Sequence, residues 1–118
     1  AIGAQIVKQY ADEQGAVHAI TLHPWLEEEL VKGLRPTPTE MQLLVDPKMA
    51  EHVSHHLNDA IQPMIAEGAQ PVVICSAAIR SGLRRFFAAK FPELAFLSYE
   101  ELPPKVEIVP ASTVPSLG

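Results

Sequence analysis

Apolar positions open the chain at a helical interval. Ile2, Ile6, Val7 and Tyr10 share one face, and Gly15 follows as a residue suited to the left-handed turn that ends helices, so a helix is predicted over about residues 1–14. Val17 to Leu22 is a short apolar run of strand type. His23-Pro24 then starts a second helix, with proline in the first turn where a missing N–H costs little. Leu26, Leu30 and Leu34 give that helix an apolar stripe, Glu27 to Glu29 lie near its positive end and Lys32 near its negative one.

Each proline of Arg35-Pro36-Thr37-Pro38-Thr39 pushes its predecessor out of helical space, which predicts a loop, and Met41 to Val45 follows as a second strand. Asp46-Pro47 is a carboxylate cap ahead of a proline at the first helical position. From there Met49, Val53, Leu57, Ile61 and Met64 or Ile65 mark the buried face of a helix reaching about Glu67. Pro63 should kink it, because it cannot donate to the carbonyl of Asp59. After the turn Gly68 to Pro71, the continuous run Val72-Val73-Ile74-Cys75 predicts a strand covered on both faces. Ser76 is placed to cap the next helix, whose core face is Ile79, Leu83, Phe86, Phe87 and Phe91, and Pro92 ends it. Leu94 to Ser98 and Val106 to Val109 are two further strands.

Alternating strands and helices place the chain in the α/β (α+β) class: a small two-layer domain, a short mixed sheet of about four to five strands with helices packed on it, preceded by an N-terminal helix. The unit is expected over residues 15–110, and the Pro/Ser-rich end, residues 111–118, is expected to be a flexible tail. No internal repeat is present.

Composition narrows the function. At 118 residues there is room for one core. Apolar residues make up 47% of the chain and charged residues 19%, the mix of a globular fold. A net charge of −5 opposes the attraction that drives phosphate-backbone binding, so nucleic acid is not an expected partner. The single Cys75 has no internal disulfide partner and suits a reducing compartment. No stretch reaches the length of a bilayer span, so this segment is expected to be soluble and not membrane-inserted. Its start, Ala1-Ile2-Gly3-Ala4, is already in helical rhythm, as expected of a piece of a longer protein.

Candidate chemistry is sparse. Cys75 ends a strand ahead of a helix carrying Arg80, which resembles the phosphate loop of cysteine-dependent phosphatases and makes a small phosphatase or sulfur-transfer enzyme the rival reading. That loop has five residues between cysteine and arginine, however, whereas Ser76, Ala77, Ala78 and Ile79 make four and none is glycine. A buried free cysteine is the plainer reading. His52 and His56 stand one turn apart, with His55 between them, but Glu51 precedes His52 and no third ligand follows at a recognisable spacing. His18 and His23 are isolated. No metal, cofactor or catalytic residue is implied. Arg80, Arg84 and Arg85 are the one local concentration of positive charge, either a solvated helix face or a partner-docking patch. Tyr99 to Pro104, with Tyr99, Glu100 and Pro103, is either a rigid connection or a recognition segment.

Three stretches together resemble a known family: Pro71 to Arg80 with its Cys75-Ser76 strand end, Leu83-Arg84-Arg85, and Phe91 to Pro103 with its Leu97-Ser98-Tyr99 strand exit. Ile20 to Pro24 and Leu44 to Pro47 extend the likeness, which covers roughly residues 1–109. The pattern is similar to the C-terminal region of the type III (flagellar-type) protein-export gate family, FlhA and its injectisome relatives, and Pro103-Pro104 favours the flagellar branch. The resemblance implies a non-catalytic cytoplasmic domain at the inner face of the bacterial inner membrane, within a parent that spans it. It further implies homo-oligomeric ring assembly with other gate subunits, and docking of export chaperone–substrate complexes and soluble export ATPase components. Residues 1–14 would be the tail of a preceding helical subdomain. Arg80, Arg84, Arg85, Tyr99, Glu100 and Pro103 are the candidate partner-binding residues. The end of the chain, Val106 to Gly118, departs from the short valine- or isoleucine-ending tail of the family.

Overall fold

The computed structural model describes residues 9–117. The predicted helix over residues 1–14 lies outside them as far as residue 8. Within them helical backbone stops at Tyr10, Ala11 bridges antiparallel to Val17, and residues 12–15 form a turn. The early stop has a local cause. Asp12 Oδ1 accepts the N–H groups of Gln14 at 2.9 Å and Ala16 at 3.0 Å, which draws the backbone out of the helix. Gly15 completes the reversal at φ 82°, a conformation that side-chain-bearing residues rarely take.

The elements are β1 (Ala16–Leu22), α1 (Pro24–Val31), β2 (Leu34–Pro36), β3 (Met41–Leu43), α2 (Pro47–Ala66), β4 (Val72–Cys75), α3 (Ala77–Phe87), β5 (Ala95–Ser98), a 3-10 turn (Tyr99–Glu101) and β6 (Glu107–Val114). The main sheet has the order β5-β4-β1-β6 and all its pairings are parallel; the expected fifth strand lies apart, in an antiparallel β2–β3 ribbon. The Arg35–Thr39 loop is therefore shorter than predicted. Pro36 sits at the end of β2 opposite Met41, where a ribbon edge tolerates a residue without a donor.

The sheet divides two clusters. Ile20, Leu22, Val73, Cys75, Phe96 and Val114 pack with the inner faces of α1, α2 and α3, while Val17, Ala19, Val72, Ile74 and Leu97 form a smaller cluster with Tyr10, Leu102, Val106 and Ile108. All of β4 is buried, as its unbroken apolar run requires. In α2 the Asp46 carboxylate accepts the Met49 N–H at 2.8 Å, and Met49, Val53, Leu57, Ile61 and Met64 face inward while Ile65 is exposed. In α3, Ile79, Leu83 and Phe87 are buried but Phe86 is 44% exposed, a correction to the predicted core face. Phe86 adjoins Phe87, and residues a single step apart on a helix are turned about 100° from each other, so the core admits one of the two.

The end of the chain corrects the flexible-tail expectation. Residues 111–114 continue β6, Ile20, Thr21 and Leu22 pair with Ser112, Thr113 and Val114, and Val114 is 1% exposed. A register shift between Pro110 and Ser112 turns Val114 to the helix-covered face, while the Thr21 and Thr113 hydroxyls meet at 2.8 Å on the other.

Candidate functional site

The six candidate docking residues lie on α3 and on the segment that follows β5. Arg80 leaves α3 toward the outer strand β5: its Nε lies 3.2 Å from Glu101 Oε1 and its Nη1 donates to the Phe96 carbonyl at 3.3 Å. The same Glu101 oxygen accepts the Ser98 N–H at 2.9 Å and the Ser98 hydroxyl at 3.1 Å. Arg80 is thus a clasp that ties α3 to the edge of β5 and to the turn after it. Arg85 points to the ribbon and pairs with Glu40. Arg84 is exposed and forms no hydrogen bond or ion pair among the described residues.

Arg84 lines two adjoining hollows. One, of about 400 Å³, has Phe91, Leu94 and the β5 residues Ala95 to Leu97 in its wall; the other, of about 360 Å³, includes Arg80, Arg85 and Ala88. Tyr99 and Glu100 lie in the turn after β5 that Arg80 clasps through Glu101, and Pro103 follows that turn. Tyr99 is 41% exposed, and partial burial raises its phenol pKa, with the Glu27 carboxylate and Cys75 adding to the rise. Glu100 is exposed, and the Pro103 carbonyl accepts the Val106 N–H at 3.1 Å, so Pro103 closes a turn.

Cys75 is fully buried, its Sγ lies 3.7 Å from the Leu97 carbonyl, and its pKa is pushed up to about 12, first by burial and then by Glu27. Glu27, reaching across from α1, accepts the Ser76 N–H at 3.0 Å at the start of α3. A carboxylate therefore occupies the helix end where a phosphatase would seat its phosphate. Ser76 stands at the predicted cap position, but its hydroxyl makes no capping bond and is buried without a hydrogen-bond partner among the described residues. A nucleophilic thiol needs exposure and a depressed pKa, and Cys75 has neither.

The helix α2 histidines bond to carbonyls. His52 Nε2 donates to Pro115 O at 2.7 Å and His56 Nδ1 to His52 O at 2.9 Å, with their rings 4.6 Å apart. Among the described residues, no group of three or more His, Cys, Asp or Glu side chains converges on a metal position. No described helix is long and apolar enough to cross a membrane.

Sequence reasoning missed Glu27, Glu40 and Glu101, the carboxylates that organise this region. Glu101 was within reach, since Ser98 followed three residues later by glutamate is a capping pattern. Glu27 and Glu40 meet partners 49 and 45 positions away, and no local signal announces such a pairing.

The fold is shared with solved domains that include the nonameric EscV cytosolic domain from the type III secretion system. The Chlamydia pneumoniae CdsV structure superposes with a TM-score of 0.83 at 23% identity, covering 96% of this chain and 32% of that one. The nonameric EPEC SctV-C structure superposes with a TM-score of 0.77 at 22% identity, covering 96% of this chain and 33% of that one. Among curated proteins, the flagellar biosynthesis protein FlhA of Bacillus subtilis is 24% identical over 92% of this chain, and low calcium response locus protein D of Yersinia pestis is 26% identical over 92%. Each match takes in 16% of the relative's length, so the chain spans about a sixth of these proteins. Residues 1–107 match the FHIPEP family throughout, and the chain belongs to that family.

Proposed function

We propose that this chain is the C-terminal α/β piece of the cytoplasmic part of an export-gate subunit, and that it performs no reaction. It serves ring assembly and the docking of export components, among them chaperone–substrate complexes and soluble ATPase components, on the cytoplasmic face of the bacterial inner membrane. The observation that carries this reading is the family match over residues 1–107. Two relatives support it: EPEC SctV-C is nonameric, and CdsV of Chlamydia pneumoniae was solved in complex with CdsO. The burial of Cys75 and the carboxylate at the start of α3 weigh against thiol chemistry. Arg80, Arg84, Arg85, Tyr99, Glu100 and Pro103 remain the proposed docking residues, with Arg80 acting through the shape it gives the β5 edge.

An in-frame deletion of this segment from the parent gene tests the role, with exported proteins scored in the medium and the truncated subunit quantified in the membrane fraction. Loss of export while the truncated subunit persists is expected. Unchanged export would sink the proposal.

A further inference from the structure

We infer that Arg84 and the hollow beside β5, whose exposed lining is mainly polar, form a binding site for an acidic segment of a partner protein, one carboxylate seated on the Arg84 guanidinium. The inference rests on the docking role proposed above and narrows it to one side chain and one partner chemistry.

Three of the chain's four arginines are engaged within the fold. Arg35 donates to the carbonyls of Lys32 at 2.6 Å and Leu34 at 2.9 Å, Arg80 holds Glu101 and the Phe96 carbonyl, and Arg85 pairs with Glu40. Arg84 alone makes no hydrogen bond or ion pair among the described residues, and it borders both hollows. Its neighbours limit its choices: Glu40 is taken by Arg85 and Glu101 by Arg80. Glu93, which also lines the larger hollow, is exposed and has no ion-pair partner among the described residues, so an incoming acid must approach on the Arg84 side. The planar fork of a guanidinium matches a carboxylate with two parallel hydrogen bonds, and its weak hydration favours transfer from water to a partner.

Charge selects among anionic partners. Membrane surfaces attract clusters of basic residues at about 1 kcal/mol each, and duplex nucleic acid demands several phosphate contacts. This chain carries −5 overall and offers one unpaired guanidinium, and the Lys90 ammonium lies over the Phe91 ring, 5.8 Å from its centroid. One unpaired fork at the mouth of a mainly polar hollow suits a single carboxylate on a polypeptide.

The test uses the full 118-residue chain and a panel of fluorescein-labelled peptides in which Glu or Asp recurs among Gly and Ser, read by fluorescence anisotropy. Glutamine-substituted peptides and vesicles containing phosphatidylserine are run beside them. Binding of acidic peptides is expected to weaken about tenfold or more in Arg84→Gln, the scale of a lost charge-assisted hydrogen-bond pair. Lys48→Gln should leave it unchanged, and added salt should weaken it. Equal binding by the wild type and Arg84→Gln, no binding by any acidic peptide, or binding to anionic vesicles alone each overturns the inference. Export by a parent carrying Arg84→Gln separates this inference from the broader one. If the segment deletion stops export while Arg84→Gln leaves both export and peptide binding intact, the docking role stands and the Arg84 site falls; if the deletion leaves export intact, the docking role itself falls.

Discussion

Cys75 shows how one side chain's surroundings decide its chemistry. A rise in pKa from 9.0 to about 12 cuts the thiolate fraction at neutral pH roughly a thousandfold, and full burial removes access as well. A maleimide reagent at pH 7.5 should leave Cys75 unmodified in the folded chain and label it on unfolding in urea. Rapid labelling of the native protein would revive the thiol enzyme. Asp12 behaves in the opposite sense. The Ala16 N–H, then His18 and the Gln14 N–H, hold its carboxyl below the ordinary range. A group depressed on folding stabilises the fold above its unfolded pKa, about 3.9, and that contribution fades as pH falls through the folded value. The urea midpoints of the wild type and Asp12→Ala should therefore differ at pH 6 and converge toward pH 3.

At the scale of elements, close approach matters more than propensity. A Cβ added at Gly82 would lie 2.5 Å from Leu43 Cβ, because β3 rests directly on α3. Alanine would gain about 0.5–1 kcal/mol of helix propensity, but overpacking costs about 1–3 kcal/mol and Leu43 Cβ is fixed to a strand backbone. Gly82→Ala should lower the unfolding free energy by about 1 kcal/mol net, and a gain in urea denaturation would show that the ribbon yields. Glu27→Gln tests the join between α1 and α3. Weakening the charge-assisted bond to the Ser76 N–H should cost about 1–2 kcal/mol, and no loss would mean water replaces the carboxylate.

The whole molecule is closed by its last strand. β6 supplies one edge of the main sheet, and Val114 enters the cluster shared by α1, α2 and β1. Val114→Ala should cost about 2 kcal/mol, while Leu117→Ala, at an exposed position, should change stability by less than about 0.5 kcal/mol. Equal midpoints for Val114→Ala and the wild type in thermal or urea unfolding would return residues 111–114 to the tail that their Pro/Ser-rich composition suggested.

What the chain determined locally was legible before any fold. The unbroken run of β4, the Asp46-Pro47 start of α2 and the one-sided apolar stripe of that helix were readable because each is set by neighbours within a turn or a pleat. The α/β class followed from their alternation. The resemblance carried by residues 71–103 pointed to the family that the comparisons then showed. Three things awaited the tertiary structure: the division of the arginine patch, the occupation of the α3 N-terminus by Glu27, and the recruitment of residues 111–114 into the sheet. Each depends on groups distant in sequence meeting in space. Salt bridges and parallel strand pairs are made across crossovers, and nothing in the local order of residues states which carboxylate an arginine will meet or which edge a final strand will join.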